Sequence, residues 1–217
     1  MERIAGGNMP IQLDEAEARV LGALAEKSLT VREQYPLTFN SLQAACNQKT
    51  SREPVMTLDL DTMGRAVQSL IDKGLAERVQ APGDRVPKFR HRISALLGTD
   101  DPKVTGAFIV LLLRGPQTPG EIKGRSERLC QFAGPAEVEG LLQELAARPE
   151  PMVARLPRQA GQKETRFAHL FSGAPAVSAG DAVPHGVPVP LRPDRLAELE
   201  ARVAALEAAV AALKDPS

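Results

Sequence analysis

Residues 57–93 read TLDLDTMGRAVQSLIDKGLAERVQAPGDRVPKFRHRI, and two hydrophobic periods meet inside that stretch. Leu60, Met63, Val67, Leu70 and Ile71 fall on one face of a helix that begins near Thr57. Lys73-Gly74 closes it, a cation in the last turn and a glycine just beyond. Residues 75–80 and 88–93 then alternate in twos around the turn-rich Ala81-Pro82-Gly83-Asp84-Arg85, which predicts a hairpin. Side chains alternate across a strand, so Phe89, His91 and Ile93 share one side while Lys88, Arg90 and Arg92 share the other.

Upstream, Asp14 and Glu17 form a D-x-x-E start signal for a helix burying Leu13, Val20, Leu21 and Leu24. Tyr35-Pro36 interrupts regular structure, and Thr38 caps a second helix with Phe39, Leu42, Ala45 and Cys46 as its apolar stripe. Three helices followed by a hairpin is the order of a winged helix, a variant of helix-turn-helix.

Downstream the order recurs. Asp101-Pro102 opens a helix carrying Val104, Ala107, Phe108 and Leu111, and Gly115-Pro116 breaks it. Thr118 and Glu121 form a capping box with Pro119 in the first turn. Pro135 opens a third helix with Val138, Leu141, Leu142 and Leu145 facing inward, and residues 152–156 and 165–171 read as two strands. Lys88-Phe89-Arg90-His91 stands 78 residues before Arg166-Phe167-Ala168-His169, so a basic residue, Phe, any residue and His end both hairpins. The fold class expected is mostly α (α+β): two tandem winged-helix domains, residues 12–96 and 101–172. Residues 1–11 read as a disordered N-terminus and 173–193 as a flexible Pro/Ala/Gly linker. In residues 194–214, Leu196, Leu199, Val203, Leu206, Val210 and Leu213 form a short a/d heptad seam, predicting a coiled-coil helix and a weak homodimer through it.

Three blocks are not explained by periodicity: Tyr35-Pro36-Leu37 with residues 40–42 and 45–55, then residues 112–121, then Leu156-Pro157-Arg158 with Gly161, Glu164, Arg166 and His169-Leu170. In these the chain resembles the bacterial YceH-like family of tandem winged-helix proteins of unknown function. The resemblance runs through most of residues 12–172. It implies the fold and a heptad tail, and carries over no reaction, substrate or catalytic residue.

Charge does not announce nucleic acid. Formal net charge is zero; residues 14–95 carry 12 Lys/Arg against 11 Asp/Glu, and residues 102–172 carry 10 against 7. Aromatics are 3%, too few for a single-strand stacking platform. There is no apolar run of spanning length and no leader-like N-terminus, so the expectation is a cytoplasmic protein with no membrane partner, its Cys46 and Cys130 reduced. No P-loop, G-x-S-x-G, H-E-x-x-H or Cys-x-x-Cys is found, and His91, His169 and His185 are scattered. The chain is therefore expected to be no enzyme and to hold no cofactor or metal, with His91 and His169 as hydrogen-bonded packing groups.

Fold precedent favours a DNA-associated, transcription-regulator-like role on double-stranded DNA, with a winged-helix protein-protein interaction module without DNA binding as the alternative. For DNA speaks the first hairpin, where Arg78, Arg85, Lys88, Arg90 and Arg92 are set against Asp84, with Lys49 and Arg52 before the third helix as further phosphate contacts. A solvated strand face gives the same pattern. Against DNA speak the third helices, which start with Asp59 and Asp61 or carry Glu137, Glu139 and Glu144, where a recognition helix meets bases. Arg158, Glu164, Arg166 and His169 in the second hairpin read either as an ion-pair network or as a partner or anion site.

Overall fold

A computed structural model of the protein describes residues 11–158 and 164–173. The linker and heptad tail expected at 173–214, the first ten residues and the turn at Gly161 lie outside the described residues, Gly173 apart. The fold is α+β, helices with small antiparallel sheets.

Helix α1 (Glu15–Thr30) starts where the D-x-x-E signal places it. Asp14 accepts from the Glu17 amide at 2.7 Å while Glu17 accepts from the Asp14 amide at 2.7 Å. Glu17 is buried and also takes the Lys73 ammonium at 2.5 Å, tying the start of α1 to the end of α3 (Leu60–Asp72). All residues from Glu17 to Ala25 are buried, so α1 has no solvent face there, unlike an ordinary amphipathic helix.

The covering element is α5 (Pro102–Arg114), itself buried from Gly106 to Leu113. Gly22 allows the approach: a Cβ there would stand 3.0 Å from the Leu113 side chain. Gly106 does the same on the far side of α5, where a Cβ would collide with Cys130 Sγ. Backbone bonds join the halves as well, from Leu13 to Phe171 at 2.7 Å and from Glu53 to Leu113 at 2.9 Å. The ranges expected as two domains thus share one continuous hydrophobic core around the α1–α5 pair.

Around that pair the same order of elements occurs twice. The first half adds β1 (Leu37–Thr38), α2 (Phe39–Cys46), α3, β2 (Ala76–Val79) and β3 (Lys88–His91), in a sheet of order β1-β3-β2. The second adds α6 (Pro119–Arg125), α7 (Pro135–Ala146), β4 (Val153–Arg155) and β5 (Phe167–His169). Phe89 pairs with Leu37 and Phe167 with Gln117, so in each half the chain between first and second helix lies against the phenylalanine of the last strand.

Several boundaries differ from expectation. Strand β3 ends at His91 rather than Ile93, because Ile93 begins a short helix, α4 (Ile93–Leu97), stopped by Gly98 at φ +64°. Helix α3 starts at Leu60, capped by Asp59, and Leu60 is 57% exposed rather than inward. The two-residue β1 and a 3-10 turn at Arg32–Gln34 follow α1, where no regular structure was expected.

Candidate nucleic-acid interface

The first hairpin is built as its alternation predicts: Phe89 is buried and meets Phe39 edge-on at 6.2 Å, while Arg90 points outward. Its charge is less free than the residue list implies. Register sets Glu77 opposite Arg90, and Glu77 bridges Arg90 and Arg92, the latter at 2.6 Å. Asp84 pairs with Lys88 at 2.8 Å and accepts from the Ala81 amide. Asp84 is therefore not the sole opposing carboxylate. Glu77 escaped notice because only strand register reveals it as a partner of two arginines. Arg90 and Arg92 are exposed while Lys88, Asp84 and Glu77 are half-buried, so the Glu77 pairs are weakly held and exchangeable against an external phosphate. Arg78, Arg85 and Lys49 are exposed and make no ion pair among the described residues.

Arg52 is corrected. It is 4% exposed, its guanidinium bonding Glu26 at 2.7 and 3.2 Å, the Ala45 carbonyl at 2.9 and 3.1 Å and the Ser51 carbonyl at 2.9 Å. Buried and saturated, it has nothing to offer a phosphate. Lys49 alone remains of that pair.

The acidic helix starts have structural uses. Asp59 caps α3 through the Thr62 amide at 2.7 Å, which holds its carboxyl below the usual range. Glu137 accepts from the Ala133 amide and pairs with Lys103. Asp61 and Leu60 stay exposed at the start of α3, and Val55 in the loop before it is exposed as well.

The second hairpin does not gather its four residues into one site. Arg158 reaches the Thr165 hydroxyl at 3.4 Å, and Arg166 turns to the Pro116 carbonyl at 3.2 Å and Glu121 at 3.5 Å. Glu164 is exposed. His169 leaves the group, since alternation sends it with Phe167 to the side away from Arg166. Its ring stacks at 6.2 Å on Phe171, and burial pushes its pKa down to about 4. Neutral at pH 7, it adds no charge to an anion site, which corrects its place in that set. The equivalent His91 is hydrogen-bonded as expected, Nε2 to the Ser28 hydroxyl at 2.9 Å and Nδ1 accepting from the Ile93 amide at 3.2 Å.

His169 has a measurable consequence. Its folded pKa lies below the ordinary 6.5, so the unfolded chain binds the proton first as pH falls. The contribution is whole above pH 6.5 and is lost toward pH 4, about 3 kcal/mol for a gap of that size. Denaturant titrations between pH 7 and 5 should show stability falling for the parent and a flatter profile for His169→Phe; superimposable profiles would mean that the ring is solvated.

Among the described residues no helix is long and apolar enough to cross a membrane, and no group of three or more His, Cys, Asp or Glu is placed to hold a metal ion. Cys46 and Cys130 are free thiols, and burial drives the Cys46 pKa up to about 12, away from reactivity.

The family described as "Protein of unknown function, DUF480" matches residues 13–162. A UPF0502 protein of Geotalea uraniireducens is 46% identical over 200 residues, covering 90% of each chain. One from Geobacter sulfurreducens is 48% identical over 200 residues, again 90% of each, and one from Shewanella piezotolerans 44% over 207 residues, 94% of this chain and 95% of its own.

Proposed function

We propose, for a chain that belongs to the DUF480 family of bacterial proteins, a DNA-associated role: two fused winged helices that grip the duplex backbone through the first hairpin rather than read bases through α3. The carrying observation is the hairpin surface away from Phe89, where Lys88, Arg90, Arg92 and the turn residue Arg85 exceed Glu77 and Asp84 by two charges, with Arg85 unpaired among the described residues. Arg78, opposite Phe89 in the register, is exposed on the other face. Helix α3 presents Asp59 and Asp61 at the end that would approach a groove, which disfavours base contact by charge alone. Phosphate contact without base contact gives modest, sequence-independent and strongly salt-dependent affinity.

Fluorescence anisotropy with a duplex across a salt series tests this. Arg85→Ala/Lys88→Ala/Arg90→Ala should weaken binding and reduce the log–log salt slope by roughly 2 to 3, about one per lost contact. Glu77→Gln should move affinity the other way by releasing Arg90 and Arg92. Unchanged affinity and slope in the triple variant removes the hairpin from the account.

A second reading rests on a different surface. Leu60, 57% exposed between Asp59 and Asp61 at the start of α3, and Val55, 56% exposed in the loop before it, are exposed apolar side chains near acidic residues that suit a protein partner better than a polyanion. Absence of duplex binding at low salt favours that reading.

A further inference from the structure

Where the two halves meet, a cleft of about 260 Å³ opens between the end of α1, residues 48–51, the end of α5 and the segment after α6. The charged residues on its wall are Lys27, Arg114, Arg125 and Arg128 against Glu26. Glu26 is already committed, to Arg52 at 2.7 Å and Lys27 at 3.3 Å, so it leaves the other cations unneutralised. Arg114 and Arg128 make no ion pair among the described residues, and Arg125 has only Glu121, at 3.6 Å. One guanidinium nitrogen of Arg125, Nη1, is buried without an acceptor among the described residues. Burial lowers the Arg114 pKa, with Arg125 and Arg52 pushing the same way and the Glu53 and Glu26 carboxylates opposing them.

Such a cluster is costly in an empty fold. Like charges repel, and a buried unpaired donor loses its water without compensation. A multivalent anion answers both faults. Guanidinium forks match phosphate oxygens two at a time, and hydroxyls of Thr50 and Ser51 on the same wall supply further donors. The volume is below that of drug-sized sites, which excludes a polymer groove and leaves room for a compact ligand.

We propose that this cleft binds the phosphate or diphosphate group of a small molecule, with Arg114, Arg125 and Arg128 as its ligands and Lys27 at the rim. The site is distinct from the hairpin and does not depend on DNA binding. Because its walls come from both halves, an occupied cleft braces one half against the other.

The probe is inorganic pyrophosphate, titrated calorimetrically into the full chain at fixed ionic strength, with duplex DNA anisotropy in parallel. The expected result is saturable one-to-one binding, weakened roughly tenfold or more in Arg114→Gln/Arg128→Gln, since each lost bond is charge-assisted. Arg128→Ala, an exposed change that leaves the core untouched, should weaken it in the same direction if the double variant folds poorly. The Arg85/Lys88/Arg90 variant should bind pyrophosphate like the parent while losing DNA. Overturning results are no saturable binding by the parent, equal binding by a folded cleft variant, or displacement of pyrophosphate by duplex together with loss of DNA affinity in Arg128→Ala. The last would make the cleft part of a DNA surface.

Discussion

Alanine at Arg52 is expected to destabilise the protein by about 3–5 kcal/mol, the cost of breaking a buried ion pair from one side. The side chain joins three pieces of chain: Glu26 near the end of α1, the Ala45 carbonyl at the end of α2 and the Ser51 carbonyl in the loop between α2 and α3. Removing it leaves the Glu26 carboxylate, 15% exposed in the parent, with Lys27 as its remaining ion pair, and leaves the Ala45 carbonyl without the Arg52 bonds. Arg19, 2% exposed, works on the same loop from below, bonding the Cys46 and Pro54 carbonyls at 3.3 and 2.6 Å. Two guanidiniums thus hold the loop after α2, which accounts for residues 45–55 without any nucleic acid.

Urea denaturation measures this as a drop in midpoint at constant slope. Arg52→Met combined with Glu26→Met should cost less than Arg52→Met alone, because it removes both charges together. A shift in Arg52→Ala within a few tenths of a kcal/mol would mean that water replaces the guanidinium. The pair also sets acid behaviour. Burial alone would raise the Glu26 pKa, but the bonds and charge of Arg52, aided by Lys27, hold it below the usual 4.5. Its folded pKa being depressed, the contribution is present above pH 4.5 and is lost as pH falls below that.

Phe167→Ala is the second large effect, expected at about 3–5 kcal/mol as for other large-to-small core aromatics. The ring is 1% exposed, and its backbone exchanges two hydrogen bonds with Gln117, at 2.8 and 3.0 Å, while pairing with Arg155 on the other side. It therefore fixes the second hairpin to the segment between α5 and α6. Phe89→Ala should cost toward the lower end of that range, since Phe89 is 8% exposed and packs on a half-buried Phe39.

The shared core adds a sharper expectation: both variants should lower one common transition. Tyr35, the single tyrosine in a chain without tryptophan, sits in the first half with its hydroxyl accepting from the His91 amide at 2.7 Å. Its fluorescence reports the first half, whereas far-ultraviolet dichroism reports both. Coincident midpoints in Phe167→Ala show cooperativity across the α1–α5 pair, and a melt in which dichroism falls before tyrosine fluorescence shows that the halves unfold separately.

How much of this was legible in residues alone depended on the range of the forces involved. Helix starts were legible, because caps are satisfied within three residues: Asp14 with Glu17, and Thr118 with Glu121, stand where read, and Pro102 and Pro135 open their helices. The internal repeat was legible too, because Phe89 and Phe167 occupy the same place in two copies of one pattern. Short elements were not. The two residues of β1 and the five of α4 are too few to show a period, and they exist because the sheet and core around them offer partners.

The candidate site divides the same way. Sequence alternation by itself determined that Lys88 and Arg90 face away from Phe89, because a pleated strand has no other option. Whether those cations are free was decided by register, which sets Glu77 against Arg90 and Arg92 from across the hairpin. Whether Arg52 meets solvent was decided by packing, since its partner Glu26 lies 26 residues away and only the closing of α1 on α2 brings the carboxylate beneath it. The cleft with Arg114, Arg125 and Arg128 belongs wholly to tertiary structure. Its walls meet only because Gly22 lets α1 and α5 touch, and a charge cluster assembled across that seam leaves no periodic or local trace in the chain.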